Sequence, residues 1–237
     1  MSKERAVALY LARIYEQSKQ TDEFLVQMRK VVELDPCLTP EERIYLNAAY
    51  KTVVNERRHA INILNGYIGV ETRKGNQRFV EKLTKLKQTM INELSTFCYE
   101  FIEMVDKLLI STADTPEQRV FYEKLKADYY RYICEFDNTQ QRDTNIEECR
   151  RLYSGAIEIA RSELPPASPS FLSLILNYSV FLYDILGNKD EAIELTQSTY
   201  HDSVNLLDNQ NNETYAETSS ILKLLRENFN NWVSQTN

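Results

Sequence analysis

The same start signal is written three times along this chain, as Thr39-Pro40-Glu41-Glu42, Thr115-Pro116-Glu117-Gln118 and Ser168-Pro169. In each, a hydroxyl residue suits the cap of a helix whose first N–H groups lack partners, and proline fills the first helical position, where no N–H is needed. Glu42 can bond back to Thr39 and close a capping box. Apolar residues recur at helical spacing between these signals, only 5 glycines occur in 237 residues, and no alternating apolar–polar run competes. These features confine the chain to an all-α fold.

Nine helices are predicted. The first two cover about 2–18 and 22–34, and the third runs from 40 to about 65, where Gly66, Gly69 and Gly75 are expected to break it. The fourth, about 76–109, carries Phe79, Leu83, Leu86, Met90, Leu94, Phe97, Phe101, Val105 and Leu108 along one side, predicted to face inward. At 1.5 Å per residue it would be about 50 Å long. Others follow at about 115–138, 144–163, 171–186 and 188–207, then a polar loop at 208–212 and a last helix to about 234. Connections this short favour antiparallel neighbours. The expectation is a single domain over 1–237, with helices 1–4 over about 2–109 and helices 5–9 over about 115–234.

A net charge of −7 argues against a general binder of nucleic acid or anionic membrane, though a local basic pocket remains compatible with it. No run of 18 apolar residues occurs, so no membrane insertion is expected. The N-terminal stretch, interrupted by Glu4 and Glu16, lacks the form of a signal peptide. Cys37, Cys98, Cys134 and Cys149 are widely spaced, with no CxxC pair, which suits reduced thiols in the cytoplasm.

Two polar stripes need explaining in a helical chain. Residues 124–135, KLKADYYRYICE, set Lys124, Asp128, Arg131 and Glu135 at i, i+4, i+7 and i+11, with Tyr132 beside Arg131. Lys51, Asn55, Arg58 and Asn62 repeat that spacing on the third helix. Two arginines, two lysines and a phenol would bind a phosphate if the stripes faced each other, without metal or glycine loop. Spacing alone favours the other reading, in which each stripe is a solvated face laced by its own ion pairs. Asn177 and Asn228 lie in apolar helices, where a side-chain amide suits either an extended peptide backbone or an internal bond between helices. Val180, Ile221 and Leu224 would wall a peptide groove. Trp232 is by default a core anchor, with an indole N–H that could reach a ligand.

Four segments together resemble the 14-3-3 family: RIYLNAAYKTVVNERR (43–58), YAETSSILKLLRENFNNWVS (215–234), KLKADYYRYICE (124–135) and LNYSVFLYDIL (176–186). The similarity runs nearly end to end. It implies an L- or cup-shaped subunit of nine antiparallel helices whose concave amphipathic groove binds phosphoserine or phosphothreonine segments of client proteins, a family use of arginine clusters. By that resemblance Lys51, Arg58, Arg131 and Tyr132 match the phosphate ligands, and Asn177 and Asn228 the peptide-backbone amides. Leu176, Val180, Ile221 and Leu224 match the apolar wall, with Lys124, Glu135 and Trp232 in groove or supporting positions. Asp128 and Glu135 become candidates for holding the basic side chains in place before a ligand arrives.

Departures from the family pattern are equally specific. Asn62 stands where the family has a further arginine, Asp184 where it has glutamate, and Ser220 where it has a wall leucine, so a weaker preference for an arginine upstream of the phosphate is expected. Dimerisation through the first four helices would use Ile14, Ile63 and Leu86, the last in place of a tyrosine. Gln20 and Thr89 replace basic residues that would pair with Glu23 and Glu93. Exposed pairs contribute only about 0–1 kcal/mol, so an apolar seam could still hold a homodimer, weaker or altered in geometry. Ala60 replaces a serine whose phosphorylation opens the dimer in many members, so that switch is expected to be absent.

No catalytic or metal motif appears, and neither His59 nor His201 belongs to one. An enzyme and a cofactor are therefore not expected. The remaining alternative is a helical-repeat scaffold of the tetratricopeptide kind that binds regardless of phosphorylation, although no 34-residue period recurs through the first half.

Overall fold

The computed structural model describes residues 2–207 and 212–236, and among them nine α-helices and no strand. The chain divides into two compact units, Met1–Thr112 and Ala113–Asn237.

The first unit holds α1 (Lys3–Gln17), α2 (Thr21–Leu34), α3 (Pro40–Arg73) and α4 (Gln77–Met104), each packed on the next. Helix α3 begins with the expected capping box. Thr39 Oγ1 accepts the Glu42 N–H at 3.3 Å, while the Glu42 carboxylate accepts the Thr39 N–H at 2.8 Å. That carboxylate also receives Arg5 from α1, through Nη1 at 2.7 Å and Nη2 at 3.0 Å, with both residues buried. One glutamate thus starts α3 and ties it to α1. The core between the helices is built from Ala8, Ala12, Met28, Val31, Leu46, Ala49, Tyr50, Val53, Leu94 and Phe101.

Two expectations for this unit are corrected. Helix α3 does not break near Asn65 but continues through Gly66 and Gly69 to Arg73, and the chain turns only at Gly75, whose φ is +73°. Glycine inside a helix costs about 0.5–1 kcal/mol relative to alanine, which the long packing of α3 on α4 outweighs. Nor does the apolar side of α4 face inward throughout. Leu94, Phe101 and Val105 are buried, whereas Phe79 is 60% and Leu86 49% exposed. Beyond Met104 the chain winds on as a π turn, Val105–Leu109, and a 3₁₀ turn, Ile110–Thr112.

The second unit holds α5 (Pro116–Cys134), α6 (Gln141–Glu163), α7 (Pro169–Val180), α8 (Lys189–Leu207) and α9 (Asn212–Thr236). Thr115 Oγ1 accepts the Gln118 N–H and Ser168 Oγ the Phe171 N–H, completing the other two start signals. Helix α7 runs on as a π segment, Phe181–Leu186, and stops at Gly187, whose φ of +71° is the left-handed stop that glycine allows. It packs against α5, α6, α8 and α9 and buries Leu172, Leu174, Ile175, Phe181 and Leu182. With mean hydropathy 1.3 over Pro169–Leu186, this stretch is long and apolar enough to cross a membrane by length and composition, a window that a search for unbroken apolar runs misses. Its packing is that of a core helix. Most of the polar loop expected at 208–212 lies outside the described residues.

Candidate functional site

On α5 the helical period brings Lys124, Asp128 and Arg131 to one face, and α6 and α7 pack against it. Asp128 is the hub of this face. Its side chain is buried and accepts hydrogen bonds from Lys124 Nζ at 3.0 Å, Arg131 Nη2 at 3.3 Å, Asn177 Nδ2 at 2.9 and 2.7 Å, and the Tyr153 hydroxyl. Arg131 also donates Nε to Tyr153 Oη at 3.3 Å, and its guanidinium carbon lies 4.7 Å from the centre of the Tyr132 ring. Its Nη1 has no partner among the described residues. The guanidinium is therefore docked by one edge, and its Nη1 is uncommitted among the described residues.

The electrostatics keep this arrangement charged. Burial alone would raise the Asp128 carboxyl, but the Lys124 and Arg131 charges and the Tyr153 hydrogen bond hold it below the ordinary aspartate range. Burial works against the Arg131 charge as well, and Tyr153 and Asp128 overcome it, so the guanidinium stays protonated. Burial, then Asp128, pushes the Tyr153 phenol well above its usual range, leaving it a neutral donor.

The other basic stripe belongs to the first unit. On α3, Lys51 is exposed with no ion-pair partner among the described residues. Arg58 is half-buried and donates Nη1 to Asn55 Oδ1 at 3.1 Å, and Asn62 is exposed.

In the second unit Leu176 and Ile221 lie half-buried against Leu172, Leu222 and Leu225, and Val180 lies against Leu182, Tyr183, Ala192 and Trp232. Leu224 is 47% exposed and Asn228 half-buried on the same helix as Ile221. Asn177 makes the internal bond allowed for it, yet only through its Nδ2, so its amide oxygen is still available to accept. Trp232 is a core anchor, stacked on Tyr183 at 4.5 Å and 9°. Glu135, Asp184 and Ser220 are exposed, and the Ser220 hydroxyl donates to the Ala216 carbonyl at 2.8 Å. A cleft of about 460 Å³ opens between α6, α7 and α8, but Glu158, Glu191 and Glu194 line it against Arg161. Its three carboxylates against one guanidinium disfavour an anionic ligand there.

A sequence profile described as 14-3-3 protein matches residues 11–233. This chain belongs to the 14-3-3 family. It is 36% identical over 237 residues to the 14-3-3-like protein GF14 epsilon of Arabidopsis thaliana, covering 100% of this chain and 93% of that protein. Similar relatives are the 14-3-3 protein homolog of Trichoderma harzianum, 37% identical over 96% of this chain and 87% of its own length, and the checkpoint signal transducer rad24 of Schizosaccharomyces pombe, 37% identical over 97% and 85%.

The positions that the 14-3-3 resemblance assigns to a dimer all fall in the first unit. Ile14, Ile63 and Leu86 are exposed, as are Val7, Tyr10, Tyr67 and Phe79. Gln20, Glu23 and Thr89 are exposed and Ala60 is half-buried. The Gln20 amide donates to Ser18 Oγ at 3.0 Å, and Thr89 back-bonds to the Lys85 carbonyl. Glu93 accepts Arg57 Nε at 3.2 Å within its own chain, and Arg57 also pairs with Glu56 at 3.1 Å.

Sequence reasoning missed the partner that completes the α5 face of this 14-3-3 chain. Tyr153 is separated in sequence from Asp128 by 25 positions and from Arg131 by 22. Its only trace in the sequence is a place on the apolar stripe of α6 with Cys149, Ala156 and Ala160.

Proposed function

We propose that this protein is an adaptor that docks phosphoserine- or phosphothreonine-bearing segments of client proteins, and that it is not an enzyme. The observation that carries this reading is Arg131: a buried, permanently charged guanidinium, braced by Asp128 and Tyr153, with one edge uncommitted and the Tyr132 phenol beside it. A braced guanidinium edge matches two phosphate oxygens with little ordering left to do on binding. Lys51 and Arg58 are assigned as further phosphate ligands on the strength of the family resemblance. Asn177, through its free amide oxygen, and Asn228 are assigned to the peptide backbone, with Leu176, Val180, Ile221 and Leu224 as the apolar wall. A relative named as a checkpoint signal transducer supports placing the chain in signalling. We assign it to the cytoplasm.

Titration of a phosphoserine peptide and its unphosphorylated form into wild type, Arg58→Ala and Arg131→Ala tests the reading. A hydrogen bond to a charged group is worth about 1.5–3 kcal/mol, so each variant should lose about ten- to a hundredfold in affinity. Equal binding by all three proteins, or equal binding of both peptides, would leave the phosphorylation-independent scaffold as the better account. With Asn62, Asp184 and Ser220 around the phosphate site, a peptide series varied upstream of the phosphoserine should show a reduced preference for arginine.

The proposed assembly is a homodimer formed through the first unit. The exposed apolar side chains Tyr10, Ile14, Ile63, Phe79 and Leu86 favour it.

A further inference from the structure

We infer that Tyr153 is the positioning residue that selects which edge of the Arg131 guanidinium meets a bound phosphate, an inference that rests on the phosphate-binding function proposed above. A guanidinium offers two forked edges to a planar acceptor, Nε with Nη2 or Nη1 with Nη2. A carboxylate beside it, left to itself, takes either one. Here the guanidinium gives Asp128 Oδ1 only its Nη2, and its Nε goes to the Tyr153 hydroxyl, which in turn donates to the same Oδ1. The Asp128 carboxylate is also engaged by Lys124 and by both contacts from Asn177. Nη1 and the second hydrogen of Nη2 remain for the ligand.

Tyr153 is suited to this because its ring is closely packed on all sides. It is fully buried on α6, and its ring is wedged against Tyr178 and Phe181, each with a centroid separation of 5.6 Å. The Tyr132 ring covers one face of the guanidinium and sets its plane. Together the hydroxyl and the ring remove the rotation about the end of the arginine side chain, which is the freedom a phosphate would otherwise have to restrict. Phenylalanine at this position keeps the packing and leaves Asp128 with three donor side chains, but it removes the only acceptor seen for Nε. The guanidinium can then turn its Nη1 and Nη2 edge onto Asp128, leaving Nε unpaired, and the edge offered to the ligand is lost.

The test is a phosphoserine-peptide titration of wild type, Tyr153→Phe, Arg131→Ala and the double variant, with thermal melts of each. Tyr153→Phe should weaken the phosphopeptide about tenfold, the scale of one hydrogen bond to a charged group, at a near-wild-type melting temperature. In the Arg131→Ala background the same change should cost nothing further, because a residue acting only through Arg131 is silent once Arg131 is gone. Should Arg131→Ala fail to fold, Arg131→Met serves as the background. The Arg131 Nε–H resonance should be protected from exchange with water in wild type and should lose that protection in Tyr153→Phe. Wild-type affinity in Tyr153→Phe overturns the inference alone, as does an equal loss in both backgrounds, which would make Tyr153 a structural residue only. Absence of phosphopeptide binding by wild type removes the proposed function and this inference with it.

Discussion

Asp128 shows how a single buried carboxylate organises the cations of the proposed phosphate site. Lys124 and Arg131 carry two positive charges against its one, so this three-residue cluster keeps one positive charge in excess. Because the folded-state carboxyl lies below the ordinary range, its stabilisation is fully present above about pH 4, the unperturbed aspartate value, and is lost as pH falls through the lower folded value. Glu42 behaves in the same sense, its burial outweighed by the Arg5 and Thr39 hydrogen bonds. Denaturation midpoints should therefore be flat from pH 8 to 5 and decline only below about pH 4. Phosphopeptide affinity should follow a different curve. A phosphomonoester gains its second charge with a pKa of about 6, so affinity should fall as pH drops from 7.5 to 5 while the protein remains fully folded. Calorimetric titration across that range, paired with melts, separates the two effects.

Among the elements, α3 carries two contrasting lessons. Its first turn is fixed by Glu42, which caps the helix and neutralises buried Arg5. Glu42→Ala would strand a buried guanidinium and lose a cap, and a loss of about 3 kcal/mol or more is expected from urea unfolding. Its later turns are held by packing despite two poor residues. Gly66 and Gly69 have ordinary helical backbones, and a Cβ added at either meets nothing within 4 Å. Gly66→Ala and Gly69→Ala should each raise stability by about 0.5–1 kcal/mol, measured by the same unfolding. Helix α7 shows the converse case, in which a nearly uniform apolar stretch is a core element because four other helices pack around it.

For the whole molecule, charge and apolar exposure set the expected behaviour in solution. A net charge of −7 repels nonspecific anions, so the proposed recognition of a phosphate requires a local cluster of basic groups. The first unit leaves Val7, Tyr10, Tyr67 and Phe79 more than half exposed, a cost that a second copy would remove. Leu86→Asp should convert the proposed dimer to monomer at micromolar concentration without changing helical content. Sedimentation and circular dichroism would check both halves of that statement. A wild type already monomeric at that concentration would remove the homodimer, and the in-chain pairing of Glu93 with Arg57 would then be a sufficient use of that acid.

What the sequence determined by itself was everything that repeats at short range. The three start signals, the nine helices, the α5 stripe and the family segments are all patterns within a few turns, where backbone hydrogen bonding and the 3.6-residue period act. That Lys124, Asp128 and Arg131 share a face follows from spacing alone. Tertiary structure decided which groups that face meets. The Tyr153 hydroxyl and the Asn177 amide arrive from α6 and α7, and nothing in the local pattern of either helix singles out the partner it will find. Burial was settled the same way. One apolar stripe on α4 is core at Leu94 and Phe101 yet exposed at Phe79 and Leu86, because periodicity specifies a face, whereas only the placement of the neighbouring helices specifies how far along that face is covered.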